Sequence, residues 1–89
     1  MIGIRRWMAR SDRQAQLMGG MMERTGVDVD TASREVLGCR MASAIRLCLV
    51  CRSADSCAAW QAREQGPAQD VPAFCPNAAF FRAHKAAAN

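Results

Sequence analysis

The chain has 89 residues, 12 basic and 8 acidic side chains, and a formal net charge of +4 at pH 7. This length predicts one small domain, residues 1–89, and excludes a two-domain protein. The charge is too modest for a dedicated nucleic-acid clamp, so nucleic acid is not expected as a partner. Hydrophobic residues make up 51% of the chain, but 17 of them are alanine, and Ile, Leu, Val and Phe together number only 15. With so few large hydrophobic residues in its core, the chain is predicted to need a disulfide or a metal to stabilise the fold, and five cysteines are available for this.

The amino-terminal residues contain two adjacent arginines but no apolar run of the kind that forms a secretory signal. No run of apolar residues is long enough to predict a transmembrane helix. We therefore expect a cytoplasmic protein with no membrane partner. Thiols stay reduced in the cytoplasm, where clustered cysteines are more often metal ligands or redox groups than disulfides.

The first predicted element is an amphipathic helix over residues 4–25, followed by Gly26 as its carboxy-terminal cap. Gly19 and Gly20 lie inside this helix, and two interior glycines cost about 2 kcal/mol relative to alanines. We expect either a break at this pair or close packing of another backbone against it. The predicted core-facing stripe, spaced as on one helix face, consists of Trp7, Ser11, Ala15, Met18 and Met22.

The remaining part, residues 28–87, is predicted to hold the cysteines and the other helices. Asp28 or Asp30 is expected to cap a helix that runs from Val29 to Leu49, and Gly38 divides this helix into two. Its predicted core-facing positions are Leu37, Met41, Ala44, Ile45 and Cys48.

Three further elements complete the predicted fold. A short helix is expected over about 55–64, a loop over residues 66–72, and a last helix from Cys75-Pro76-Asn77 to about Ala87. No alternating β-branched run of useful length occurs. The predicted fold is therefore all-α, a small bundle of four to five helices stapled by a four-cysteine metal centre.

Four cysteines carry the strongest chemical signal, with the spacing C-x2-C-x5-C-x17-C: Cys48, Cys51, Cys57 and Cys75. Cys48 and Cys51 lie three positions apart at a helix end, which places their sulfurs on the same side. Cys57 is expected to fold back toward this pair from the start of the next helix. Cys75 is expected at the N-cap of the last helix, where the positive end of the helix dipole favours a thiolate. We predict these four side chains as the metal and cofactor ligands.

Four thiolates suit either a tetrahedral zinc ion or an iron–sulfur cluster. Structural zinc commonly uses two C-x2-C pairs, so one pair followed by two single cysteines favours a [4Fe–4S] cluster. The C-x2-C-x5-C run resembles the last three ligands of the cluster loop in the endonuclease III family, and Cys75-Pro76 resembles the ending of bacterial ferredoxin motifs. These likenesses are local and imply no glycosylase activity. Zinc remains the alternative, as do disulfides formed on oxidation and plain buried thiols.

Several neighbouring residues are predicted to lie outside the ligand set. Cys39 is expected on the opposite side of a continuous helix from Cys48, and His84 is expected to have a packing role. Arg46 and Arg52 are interpreted as a solvated face, with compensation of cluster charge as the alternative. The aromatic residues expected in the core, and around the sulfurs as a dry wall, are Trp60, Phe74, Phe80 and Phe81.

Four segments that cover most of residues 18–81 share a recognisable pattern: Met21–Asp28, Arg46–Cys51, Cys57–Trp60 and Phe74–Phe81. Together they resemble a short family of alphaproteobacterial proteins, domain of unknown function 6455. The resemblance implies a compact helical domain with the four cysteines as its common feature, and it implies no established activity. Gly19, Gly20 and Cys39 depart from the usual pattern of the family.

The residues provide no nucleophile paired with a histidine and an acid at a recognisable spacing, and no phosphate-binding glycine loop, so an enzyme is not expected. We expect a small [4Fe–4S] protein for electron transfer or redox sensing, which acts by docking on a partner protein. The alternative is a zinc-stapled structural or adaptor module that mediates protein interactions. The sequence leaves the oligomeric state open.

Overall fold

The regular structure is helical throughout the residues that the computed structural model describes, which are 2–64, 66 and 70–86. The all-α prediction is confirmed, and the single β-type contact in this part of the chain is an isolated antiparallel bridge between Val27 and Lys85. No helix among the described residues is both long and apolar enough to cross a membrane. In chain order the helices are α1 (Ile2–Thr25), α2 (Val29–Arg34), a 3-10 helix (Glu35–Gly38), α3 (Cys39–Leu49), α4 (Ala54–Arg63) and α5 (Ala78–Ala83).

Helix α1 runs without a break through Gly19 and Gly20. A methyl group added at Gly20 would collide with the side chain of Gln61, whereas one added at Gly19 would meet nothing within 4 Å. The expectation of a close backbone neighbour is therefore wrong. A side-chain amide from α4 takes the space that the missing Cβ leaves at Gly20.

The buried face of α1 differs from the predicted stripe. Trp7 is 67% exposed, and Ala15 is exposed as well. The buried side chains lie at the same helical spacing but are rotated toward α3 and α4: Gln14, Met18, Met21 and Thr25. The prediction is confirmed for Met18, which is buried, and for Met22, which packs against the core. It failed for Trp7 and Ala15 because the buried face includes two polar residues that find hydrogen-bond partners inside the protein.

The end of α1 and the start of α2 confirm the predicted caps. Gly26 has a φ of +70°, a left-handed conformation that favours glycine after a helix. Asp28 is the N-cap of α2, and its Oδ1 accepts a hydrogen bond from the Thr31 backbone N–H at 3.2 Å. Hydrogen bonds from the Thr31 side chain and backbone hold the pKa of the Asp28 carboxyl below its ordinary value.

The predicted helix over residues 29–49 is divided at Gly38, as expected, but the division is wider than one glycine. Val36, Leu37 and Gly38 all have positive φ values, of 49°, 55° and 87°. Three consecutive left-handed residues interrupt the helix, so Leu37 and Met41 do not lie on the same helix face. Leu37 is 99% exposed instead of facing the core. Of the other predicted core positions, Ile45 is 43% exposed. Ala44 is buried, and Met41 and Cys48 pack against the core.

The last two helices differ in how well the sequence predicts them. Helix α4 (Ala54–Arg63) agrees with the predicted 55–64. Helix α5 begins at Ala78 with Asn77 in the N-cap position, so the prediction of Cys75 as N-cap is wrong. The reason is a tight turn in which the Ala78 N–H donates to the Cys75 carbonyl at 3.1 Å.

The chain leaves α5 at Ala83 and returns toward the start of α2. The Asp28 N–H donates to the His84 carbonyl, and the Ala86 N–H donates to the Gly26 carbonyl, both at 2.7 Å. This pairing ends the helix before the predicted limit at Ala87, which lies outside the described residues, as do positions 67–69 of the predicted loop. The buried core that these elements enclose consists of Met18, Met21, Ala44, Val71, Ala78 and Phe81.

Candidate metal centre

The four predicted ligands line one cavity, although they come from four separate places along the chain. The cavity has a volume of about 30 Å³, and the sulfur-bearing residues at its wall are Cys48, Cys51, Cys57 and Cys75. Most of the remaining wall is apolar and is contributed by Leu17, Met18, Met21, Ala54, Phe74, Pro76 and Phe81, with Gln14 as a polar member. The fold therefore collects all four thiols of the C-x2-C-x5-C-x17-C pattern around a largely apolar space.

Each cysteine reaches the cavity from the end of a helix or from a turn. Cys48 lies in the last turn of α3, and the Cys51 N–H donates to its carbonyl at 3.2 Å in the turn that follows. Cys57 lies in the first turn of α4, where its N–H donates to the Ser53 carbonyl at 2.8 Å. Cys75 lies three residues before α5. Helix ends and turns thus bring the four thiols together.

Three of the four sulfurs accept a well-formed N–H hydrogen bond. The Asn77 Nδ2 donates to Cys48 Sγ at 3.2 Å, and the Gln61 Nε2 donates to Cys57 Sγ at 3.1 Å. The Ser53 backbone N–H donates to Cys51 Sγ at 3.3 Å.

The fourth sulfur also has an N–H neighbour, because burial raises the pKa of the Cys75 thiol and a hydrogen bond from the Asn77 backbone N–H partly offsets that rise. N–H groups aimed at sulfur stabilise the negative charge of a thiolate. Such donors are typical of the surroundings of metal-bound cysteines.

Three buried side-chain amides support this arrangement, and sequence reasoning assigned a role to none of them. Gln14, Gln61 and Asn77 are 4%, 7% and 3% exposed. Gln14 Nε2 donates to the carbonyls of Cys48 and Cys51 at 2.9 and 3.2 Å and so links α1 to the C-x2-C turn.

The other two amides each combine a sulfur with a backbone carbonyl. Gln61 Nε2 also donates to the Leu17 carbonyl at 2.7 Å, and Asn77 Nδ2 also donates to the Ala44 carbonyl at 2.8 Å. For two of these amides, the distance in sequence from a cysteine could have predicted the contact. Gln61 follows Cys57 by one helical turn, and Asn77 follows Cys75 by two residues.

Burial makes three of the four thiols weaker acids than an ordinary cysteine, as the directions of their pKa shifts show. Burial raises the pKa of the Cys48 thiol to about 11, against the lowering effect of the Asn77 donor. Burial likewise raises the pKa of Cys57 and of Cys75, and the other cysteines add to the rise by charge repulsion. Thiols of this kind are protonated at neutral pH, so a metal that binds them must release protons.

Arginines other than Arg46 and Arg52 act on the thiols. Burial raises the pKa of Cys57 and of Cys75, and the charges of Arg13 and Arg24 at Cys57 and of Arg82 at Cys75 offset a small part of that rise. Arg46 and Arg52 are exposed, and the Arg46 guanidinium donates to Ser43 Oγ at 3.1 Å. Arg46 and Arg52 therefore fit the solvated face that the sequence analysis favoured.

The aromatic wall is only partly as expected. Phe74 and Phe81 line the cavity, whereas Trp60 and Phe80 pack against the core without reaching its wall. His84 lies edge-on to the Phe80 ring, with the ring centres 4.8 Å apart, and is not part of the lining.

Cys39 is the fifth cysteine, and it is exposed at the start of α3. It does not line the thiol cavity. This placement makes Cys39 a natural control for experiments on the other four.

The chemistry of the donor set fits a thiolate-bound metal centre. Four soft sulfurs with N–H neighbours and an apolar wall suit either a zinc ion or an iron–sulfur cluster. Within residues 2–64, 66 and 70–86, no group of three or more His, Cys, Asp or Glu side chains could hold a metal ion as placed.

These features define a small all-α domain whose helix ends and turns assemble four thiols around one apolar cavity. The family of unknown function DUF6455 matches residues 6–87, and the chain belongs to this family. No curated protein and no solved structure matches the chain.

Proposed function

We propose that the protein binds a [4Fe–4S] cluster through Cys48, Cys51, Cys57 and Cys75 and serves electron transfer or redox sensing on a partner protein. The observation that carries this proposal is that all four thiols line one cavity and that each sulfur has an N–H neighbour. When bound, such a cluster supplies one-electron chemistry. The chain itself supplies the four thiolates, the N–H donors and the apolar wall.

The sequence spacing of the thiols supports a cluster over zinc. Structural zinc commonly uses two C-x2-C pairs, whereas this chain has one such pair followed by two single cysteines, Cys57 and Cys75. A cubane cluster takes one thiolate on each of four irons, and four cysteines that line one cavity are compatible with that arrangement.

The acidity of the thiols supports a ligand role over a nucleophilic one. A reactive cysteine requires a lowered pKa, because the thiolate is the nucleophile. Burial instead raises the pKa of Cys48, Cys57 and Cys75. Thiolates in this cavity are therefore favoured when a metal replaces their protons.

A basic groove beside Cys51 supports docking on an acidic partner protein. The groove has a volume of about 360 Å³ and is lined by Arg10, Arg13 and Arg52, with Asp55 paired to Arg13 at 3.0 Å. A positive surface steers a negatively charged partner into contact. Docking there would bring the partner next to one thiol of the centre.

Analysis of the anaerobically purified chain for iron, acid-labile sulfide and zinc tests the proposal. We expect iron and sulfide in equal amounts, about four of each per chain, and broad visible absorption that dithionite bleaches. Colourless protein with one zinc per chain would replace the proposal with the zinc-stapled adaptor. Protein without metal would refute both.

Two variants in α3 provide a matched pair for the same analysis. Cys48→Ser removes a thiol from the cavity, and we expect it to lose most of the iron because a hydroxyl is a poor ligand at neutral pH. Cys39→Ser changes the exposed thiol of the same helix, and we expect full metal content. Equal loss in the two variants would show that the ligand set is wrong.

The Gln61 donor tests whether the centre is redox-active. Gln61→Leu removes the N–H that points at Cys57 Sγ, and hydrogen bonds to sulfur raise a cluster potential. We expect a lower reduction potential in this variant, measured by redox titration of the visible absorption. Gln16→Leu, on the exposed face of α1, should leave the potential unchanged.

A further inference from the structure

The amino-terminal turns of α1 carry an apolar surface that nothing in the described chain covers. All described side chains from Gly3 to Arg10 are exposed, and three of them are large and hydrophobic. Ile4 is 52% exposed, Trp7 67% and Met8 53%. A helical segment of about two turns without tertiary contacts is marginally stable in water, so we expect a partner to cover this surface.

The same helix face continues into an apolar groove. Along α1, the spacing of Ile4, Met8, Ser11, Ala15, Met18 and Met22 is that of the a and d positions of a heptad. The last three of these residues, together with Gly19, form one wall of a groove of about 310 Å³ between α1 and α3. The remaining lining includes Val29, Met41, Ile45 and Leu49, of which Val29 and Ile45 are 45% and 43% exposed.

We propose that this stripe and groove form the interface of a homodimer, in which two α1 helices pair antiparallel about a twofold axis. One copy's exposed amino-terminal turns lie in the other copy's groove, and the reverse contact follows from the symmetry. In this register each residue in the amino-terminal half of the stripe contacts a residue in the carboxy-terminal half of the second copy's stripe. The pairs are Ile4 with Met22, Met8 with Met18, and Ser11 with Ala15.

Trp7 and Gly19 suit this register because of their sizes. Trp7 lies on the flank of the stripe that faces the α3 side of the partner's groove, where Met41 and Ile45 form the wall. Gly19 leaves open space beside the stripe, since nothing lies within 4 Å of an added Cβ, and Met8 of the second copy would occupy it. A large aromatic anchor and a small residue opposite a longer one are typical of tight helix pairs.

Charges on the other flank of the stripe favour a second copy over an unrelated helix. Arg5 and Glu23 are both exposed on the same flank, near opposite ends of α1. Antiparallel pairing brings Arg5 of each copy close to Glu23 of the other, which gives two equivalent ion pairs. Within a monomer, an arginine near the amino end and a glutamate near the carboxyl end oppose the helix dipole, so their placement has no benefit there.

The oligomeric state of the full chain, purified anaerobically, tests the proposal by sedimentation equilibrium from about 1 μM to about 1 mM. We expect a reversible monomer–dimer equilibrium. Met8→Asp should weaken dimerisation about tenfold or more, because it buries an unpaired charge in the interface. Ala9→Asp adds the same charge to the same turn but off the stripe, so the dissociation constant should change less than about threefold.

A charge reversal tests the register. Arg5→Glu and Glu23→Arg should each weaken the dimer, and the double variant should recover most of the loss, because both ion pairs form again with opposite sign. All five variants change exposed side chains, and helical circular dichroism checks that the fold persists.

Three results would overturn the proposal. The first is a wild-type chain that stays monomeric over the whole concentration range. The second is an Ala9→Asp variant that is as weak a dimer as Met8→Asp, or a double charge variant that recovers nothing. The third is a monomer that instead co-sediments with vesicles of phosphatidylcholine and phosphatidylglycerol and loses this binding in Met8→Asp, since the stripe would then be a membrane-surface helix.

Discussion

The two halves of α1 belong to one continuous helix but have opposite surroundings. From Gly3 to Arg10 every described side chain is exposed, including Trp7. From Gln14 to Thr25 the helix carries four of the eleven buried residues in the described part of the chain, and two of those four are polar. The exposed half therefore carries the large hydrophobic residues Ile4, Trp7 and Met8, whereas the buried half includes the polar residues Gln14 and Thr25.

The contrast shows that the thiol cavity needs hydrogen-bond donors from the helix packed against it. Short helices and turns expose carbonyls and sulfurs that need N–H donors, and an apolar helix face has none to offer. Gln14 supplies two such donors to the C-x2-C turn. The burial of Gln14 is thus a consequence of the cysteine geometry, whereas the Thr25 hydroxyl donates to the Met21 carbonyl of its own helix.

The largest difference between the two regions should come from truncating one aromatic side chain in each. Phe81 is 0% exposed and lines the thiol cavity, so Phe81→Ala should lower the free energy of unfolding by about 3–5 kcal/mol. Trp7→Ala should change it by less than about 0.5 kcal/mol at a protein concentration where the chain is monomeric. Urea denaturation followed by circular dichroism measures both. Similar losses would mean that the amino-terminal turns are packed in solution.

A smaller difference should separate two glutamines of α1. Gln14→Leu keeps the volume but removes the donors to the Cys48 and Cys51 carbonyls, at a cost of about 1–3 kcal/mol. Gln16→Leu lies on the exposed face and should cost almost nothing. The same denaturation experiment measures both, and metal content should fall only in Gln14→Leu. An unchanged Gln14→Leu protein would show that the C-x2-C turn holds its shape without α1.

Local signals predicted a good part of the fold. The end of α1 before Gly26, the cap at Asp28 and the extent of α4 follow from backbone preferences that act within a few residues. Local signals also placed Cys48, Cys51 and Cys57 at a helix end, in the following turn and at the start of the next helix, and the structure brings these three to one cavity with Cys75.

The failures occurred where a distant partner determines the local structure. The buried face of α1 depends on carbonyls more than thirty positions away, which no hydrophobic periodicity reports. Leu37 has the right spacing for a core position but lies within three left-handed residues, where helical spacing has no meaning. Cys75 precedes a proline in a good N-cap pattern, yet its carbonyl is engaged in a turn and Asn77 takes the N-cap position.

The smallest effect should distinguish the two neighbouring glycines of α1, at the border between its halves. Alanine is favoured over glycine inside a helix by about 1 kcal/mol, and a methyl group at Gly19 meets nothing within 4 Å. Gly19→Ala should therefore raise the free energy of unfolding by about 0.5–1 kcal/mol in the monomer. A methyl group at Gly20 collides with the Gln61 side chain, which must give up its hydrogen bonds to the Leu17 carbonyl and Cys57 Sγ. That loss, about 1 kcal/mol or more, cancels or exceeds the helix gain.

Thermal unfolding of Gly19→Ala and Gly20→Ala at the same low protein concentration measures this difference. The same methyl group has a second consequence at Gly19, because it fills the space assigned to Met8 of a second copy. Gly19→Ala should then be the more stable monomer and the weaker dimer, whereas Gly20→Ala should leave dimerisation unchanged because it faces α4. A Gly20→Ala protein as stable as Gly19→Ala would show that Gln61 moves aside freely, and its donor to Cys57 Sγ would then matter little for the thiol cavity.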